Sequence, residues 1–204
     1  MARITESPRR RNTRKVGITV LIICEGEKTE RIYFGNYKKR GTGIKVEIPN
    51  SSNTDPINLL RYAEMKADDL GINKDNGSVW LVFDCDANKN RNLARVKKEA
   101  DERNIQIIYS NPSFEIWYLL HYVYSTASLT NPQLETELKK YIPNYSKSKC
   151  FFQKLKQNQQ NAIANAKRLQ KYHSQQGNNL ISRESNPFSL AFILINYLNN
   201  LIQI

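Results

Sequence analysis

Polar and basic residues open the chain, and the first sustained apolar run is Val16 to Cys24, VGITVLIIC. It is β-branched and apolar almost throughout, which predicts a strand buried on both faces, as in a parallel sheet. Three similar runs follow: Ile44 to Ile48, Val79 to Phe83 (VWLVF) and Ile105 to Tyr109. Between them the apolar period lengthens to that of helices. EGEKTERIYFGNYKKR turns at Gly26 and predicts a helix from about Glu27 to Tyr37, with Ile32 and Phe34 as core contacts. Thr54-Asp55-Pro56 reads as a cap followed by a first-turn proline. Leu60, Ala63, Ala67 and Leu70 then keep helical spacing until Gly71 closes the segment. A third helix, from about Arg91 to Arg103, turns Leu93, Val96, Lys97 and Ala100 inward. Strand and helix alternate four times, so the expected fold is α/β, a four-stranded parallel sheet flanked by helices.

Beyond Tyr109 the pattern is helical. Ser113 to about Tyr122 is apolar and aromatic, Asn131 to Lys140 is a short helix, and residues 150–173 are helical but polar, with Ala162, Ala166 and Leu169 as a thin inner stripe. Asn186-Pro187 repeats the cap-and-proline start and opens FSLAFILINYLNNLI, apolar on more than one side and therefore buried. Lys74 to Ser78 and Gly177 to Ser185 read as loops. The chain thus divides into a basic tail (1–15), an α/β core (16–125) and a helical extension packed on it (126–204).

At 204 residues and 40% hydrophobic, the chain can bury a core without disulfide staples. Its three cysteines, Cys24, Cys85 and Cys150, do not form a disulfide framework and suit a reducing compartment. No stretch approaches the roughly 20 apolar residues of a membrane span, and MARITESPRRRNTRK lacks the apolar segment of a secretory signal. The expected location is cytoplasmic, with no membrane partner. A net charge of +12 raises the expectation of a polyanionic partner, nucleic acid first. Part of that charge is Arg9, Arg10, Arg11, Arg14 and Lys15, which read either as a solubilising tail or as an arm that tracks nucleic acid.

Chemistry is expected where strands end, because open parallel sheets gather ligands beyond their carboxyl ends. Glu25 leaves the first strand there; Asp84 and Asp86 leave the third and share one side of the extended chain. If those strands are close, three carboxylates converge and repel unless they are protonated or bound to a cation. With no histidine or thiolate among them, oxygen ligands favour Mg²⁺ or Mn²⁺, which can promote phosphoryl displacement. The plain alternative is a polar strand-to-helix loop with Asp86 or Asn88 as a helix cap.

These residues resemble the Toprim catalytic pattern shared by topoisomerases, primases and overcoming-lysogenization-defect nucleases. More closely, ICEGEKTERIYF (Ile23 to Phe34), FDCDAN (Phe83 to Asn88) and SNPSFEIWYLLHY (Ser110 to Tyr122) resemble the RloB-like family. Tyr145-Ser-Lys147, the Ala162-to-Leu169 segment and Asn186-Pro187 fit as well, so the resemblance runs from about residue 18 to 200. It implies a Toprim-like fold, a role in bacterial defence against phage or foreign nucleic acid, and an ABC-type ATPase as partner. By that analogy Glu25, Asp84 and Asp86 bind metal, and Glu115, which fills the acidic position of the third motif, is a second-tier metal ligand. One departure is the larger Phe114 after Ser113.

Secondary candidates have two readings each. Glu27 and Glu30 suit the positive end of a helix dipole, and Glu30 alternatively joins the metal site through water. His121 is either a buried, hydrogen-bonded core residue or a phosphate contact. Lys147 either neutralises charge on a scissile phosphate or is an ordinary surface lysine. Lys28 and Lys149 complete the candidate nucleic-acid contacts. The combined reading is a Mg²⁺- or Mn²⁺-dependent nuclease acting on DNA, RNA or tRNA, with Glu25, Asp84, Asp86 and Lys147 catalytic. The alternative is a non-catalytic module that binds nucleic acid or the ATPase. The apolar C-terminal helices also offer a surface for a homodimer. A receiver domain phosphorylated on Asp84 and a Rossmann nucleotide site fit less well, the latter because no glycine-rich phosphate loop follows any strand.

Overall fold

A computed structural model describes residues 17–38, 44–51, 55–85 and 90–202. The four apolar runs form β1 (Ile18–Cys24), β2 (Ile44–Glu47), β3 (Gly77–Asp84) and β4 (Gln106–Asn111). All four are parallel. Residues 20–24 and 79–83 are buried along their whole length, as continuous apolar strands covered on both faces must be.

The sheet has five strands, in the order β2-β1-β3-β4-β5. The fifth, β5 (Phe188–Ser189), pairs antiparallel with β4 through Ser110↔Ser189 and Asn111↔Phe188. This corrects the expectation that Asn186-Pro187 opens a helix directly: two residues first join the sheet, and α8 (Ala191–Ile202) begins afterwards. The cause is backbone satisfaction. Tyr109, Ser110 and Asn111 are buried at the outer edge of β4, and their main-chain groups need partners there. Leu190 N–H donates to the Tyr109 carbonyl at 2.9 Å, and the Ser110 and Ser189 hydroxyls meet at 3.0 Å.

The helices are α1 (Thr29–Gly35), α2 (Pro56–Asp69), α3 (Asn90–Glu102), α4 (Glu115–Leu119), α5 (Asn131–Lys139), α6 (Phe152–Lys156), α7 (Gln159–Gln175) and α8. Local signals set the ends of α2. Asp55 Oδ1 accepts from the Ile57 and Asn58 N–H groups at 3.0 and 3.1 Å, and Gly71 takes a positive φ of 61° just past the helix. Three details differ from the sequence pattern. In α1, Phe34 is buried as expected, but its apolar partners are Tyr33 and, just beyond the helix, Tyr37, whereas Ile32 is only half-buried. In α3, Lys97 is exposed and paired with Asp101. The polar helical stretch breaks at Gln157-Asn158 into α6 and α7.

Tyr33 is the hub of an aromatic cluster, with ring centroids 5.8 Å from Phe114, 5.8 Å from Tyr118 and 5.2 Å from Phe152. The cluster fastens α1 to α4 and α6, and the Gln159 amide at the start of α7 donates to the Tyr37 hydroxyl at 2.9 Å. Such aromatic pairs, edge-on to Phe114 and Phe152 and tilted to Tyr118, add to the burial of large apolar area. Among the described residues no helix is long and apolar enough to cross a membrane.

The strand order matters most for function. From β1 the chain crosses to β2 on one side, whereas from β3 it crosses to β4 on the other. Right-handed crossovers then send their helices to opposite faces and leave a crevice between the ends of β1 and β3.

Candidate functional site

The parallel pairing of Cys24 with Val82 brings the residues after β1 against the end of β3. Glu25 N–H donates to the Val82 carbonyl at 2.9 Å. Asp84 N–H in turn donates to Glu25 Oε2 at 3.0 Å, linking residues 59 apart in sequence. A cavity of about 370 Å³ opens here, walled by Glu25, Glu30, Asp84 and Glu115, with Ser51, Lys28 and Lys147 also lining it.

Glu115 reaches the cavity from the start of α4 and is only 5% exposed. Its Oε1 accepts from the Thr29 hydroxyl at 3.0 Å and the Tyr145 hydroxyl at 2.8 Å. Lys147 Nζ stands 3.5 Å from the same atom. Burial would raise the pKa of this carboxyl, yet the Lys147 charge and the Ser113 and Tyr145 hydroxyls hold it below the usual glutamate value. Lys147 is held above the ordinary lysine value: its partial burial opposes the charge, and Glu115 more than compensates.

Glu30 is the opposite case. It is 4% exposed on the inner side of α1. Burial, then the charges of Glu115 and Glu25, push its pKa up to about 7, against a backbone hydrogen bond and Lys147. Its carboxyl lies directly over Gly26, where any Cβ would overlap it. A side chain at position 26 would therefore displace the Glu30 carboxyl from its present place.

The RloB-like protein family model matches residues 20–198, from β1 into α8. The chain belongs to the RloB-like family. No curated protein and no solved structure matches it at a significant level.

In this RloB-like protein the remaining candidates separate clearly. Asp86 and the basic residues Arg9, Arg10, Arg11, Arg14 and Lys15 lie outside the described residues. Among the described residues, no three His, Cys, Asp or Glu side chains form a ready metal cluster. Glu25, Glu30, Asp84 and Glu115 all line the cavity, and Glu115 is engaged by the Thr29 and Tyr145 hydroxyls and by Lys147. Lys28 and Lys149 are exposed, the first of them on the cavity.

His121 corrects one candidate. It is 1% exposed and its Nδ1 lies 2.8 Å from the Trp117 carbonyl. Burial pushes its pKa down to about 4, so it is a neutral core residue out of reach of a phosphate.

Glu30 is the site residue that the helical pattern undervalued. A signal existed: Glu30, Tyr33, Phe34 and Tyr37 fall at helical spacing on one face, and a carboxylate on an aromatic face is costly.

That cost is measurable. In the unfolded chain Glu30 ionises near the usual glutamate value, whereas the folded protein holds its proton to about 7. The folded state is therefore favoured at low pH, and that stability is lost as pH rises through 7. Glu30→Gln is expected to stabilise the metal-free protein at pH 8 by up to about 3 kcal/mol and to change it little near pH 4. Urea denaturation in a chelator at the two pH values checks this; equal stability of both proteins at pH 8 would refute it.

Proposed function

We propose that this RloB-like protein is a metal-dependent nuclease of the Toprim type, acting on DNA or RNA in defence against phage or foreign nucleic acid. The observation that carries this reading is the joining of Glu25 to the Asp84 peptide beside two further buried carboxylates at the β1–β3 crevice. The raised Glu30 pKa comes from burial first and from the neighbouring Glu115 and Glu25 charges second, and the candidate ligands are all oxygen, which suits Mg²⁺ or Mn²⁺. Bound there, such an ion would supply Lewis acidity toward a phosphate oxygen.

The chain's own groups take the other roles. Glu25, Asp84 and Asp86 would hold the ion, and Glu25 would also move a proton at the attacking or leaving oxygen. Lys147 presents a positive charge to the phosphate, and Glu115 keeps that ammonium charged and oriented. Exposed Lys28 and Lys149 give salt-sensitive grip on the backbone. An ABC-type ATPase is the proposed regulatory partner. The second reading is a binding module without catalysis.

Incubation of the purified protein with labelled DNA, RNA and tRNA, with Mn²⁺, Mg²⁺ or chelator, separates these readings. Cleavage of at least one substrate is expected only with a divalent ion, together with a Mn²⁺-dependent rise in Tm. Intact substrates throughout and an unmoved Tm, with the ATPase added as well, would overturn the nuclease reading.

A further inference from the structure

A second cavity, of about 670 Å³, lies at the ends of β3 and β4. Cys85, Asn111, Thr130, Asn131, Arg183 and Asn186 are among the residues that line it. Asp84 borders the carboxylate cavity and Cys85 borders this one. The two residues are consecutive, so only about 3.8 Å of backbone separates their Cα atoms.

Among the described residues Arg183 is the cation that lines this second cavity, and its backbone is pinned from two sides. The Asn90 side chain, at the start of α3, accepts from Arg183 N–H at 2.9 Å. Asn111, at the end of β4, donates its amide to the Ser182 and Arg183 carbonyls, each at 3.1 Å. The Tyr109 hydroxyl adds a bond to the Ser182 carbonyl at 2.7 Å. The other wall is equally fixed: Asn186 exchanges side-chain bonds with Leu129 N–H at 2.9 Å and the Leu129 carbonyl at 2.8 Å. Glu184, the neighbouring acid, is turned to the Asn90 amide, with both oxygens at 2.9 Å. The Arg183 side chain is exposed, and no ion pair to it is found among the described residues. The Asn111, Asn186 and Thr130 side chains are taken by protein acceptors and fix the cavity walls, which leaves the exposed guanidinium on its pinned backbone as the group that can meet an anion with several oxygens.

We propose that Arg183 and this cavity form a second subsite, which takes the backbone phosphate of a nucleotide flanking the one held at the carboxylates. It rests on the nuclease reading above and adds to it the path of the polymer. The strand would cross the end of β3, with one phosphodiester on the Asp84 side and a neighbouring phosphate on the Cys85 side.

Fluorescence anisotropy with a fluorescein-labelled single strand of about 12 nucleotides, as DNA and as RNA, tests this. Chelator prevents cleavage, and salt is varied between about 50 and 200 mM. Arg183→Ala is expected to bind about tenfold more weakly, with a salt slope shallower by about 0.7. Arg183→Lys keeps the charge and is expected to recover most of the affinity. Arg95→Ala removes an exposed arginine on α3 that pairs with Glu99 and is expected to match the wild type. Unchanged thermal melting of the variants shows that folding is intact. Binding by Arg183→Ala equal to that of the wild type, or a loss no greater than for Arg95→Ala, overturns the subsite and leaves the nuclease reading standing. Absence of binding by the wild type itself overturns both.

Discussion

Asp84→Asn is expected to lower metal-dependent cleavage by about 10³-fold or more while leaving nucleic-acid affinity in chelator within about twofold. The substitution keeps the shape of the side chain and the Asp84 N–H that donates to Glu25 Oε2, so the β1–β3 junction should survive. What it removes is one negative charge from a cavity already walled by Glu25, Glu30 and Glu115. Relieving that repulsion should leave the metal-free protein at least as stable as the wild type. It should also shrink the Mn²⁺-dependent rise in Tm. Turnover at saturating labelled substrate, alongside anisotropy, separates a loss of chemistry from a loss of binding. A variant that cleaves as fast as the wild type would remove Asp84 from the mechanism.

The largest effect on stability belongs to Glu115. Glu115→Ala is expected to cost about 3–5 kcal/mol, read as a lower urea midpoint at constant slope. The carboxylate is buried, and alanine would leave the Thr29 and Tyr145 hydroxyls without their acceptor and Lys147 without its counter-charge. These three partners come from α1 and from the segment between α5 and α6, so one side chain ties both to α4. Glutamine can still accept from the hydroxyls, and Glu115→Gln is expected to cost only about 1–2 kcal/mol. An alanine variant within about 1 kcal/mol of the wild type would show that the network is incidental. The pair of variants also bears on mechanism: a residue this committed to hydroxyl and ammonium donors positions Lys147 before it serves any ion.

Much of this architecture was legible before any coordinates. The four parallel strands announce themselves as unbroken β-branched runs, because a strand covered on both faces has no polar side to show. The limits of α2 follow from Asp55, Pro56 and Gly71, whose effects act within a few residues. The convergence of Glu25 on Asp84 was legible only as a condition, that their strands be neighbours. The sheet order β2-β1-β3 meets that condition.

What remained hidden depends on groups distant in sequence. The pairing of β5 with β4 overrides a local helix-start signal, because buried main-chain groups at a sheet edge must be satisfied by whatever segment arrives there. Ile32 looked like a core residue by its apolarity, but the aromatic contacts from α4 and α6 rotate α1 so that Tyr33, Phe34 and Tyr37 face inward. The ionisation of Glu30 and Glu115 shows the same division. Composition and periodicity establish the strand-and-helix alternation and place carboxylates at strand ends. Only tertiary packing decides that one glutamate meets hydroxyls and an ammonium while the other is buried beside like charge, since a pKa is set by burial and by neighbours within a few ångströms, and those come from across the chain.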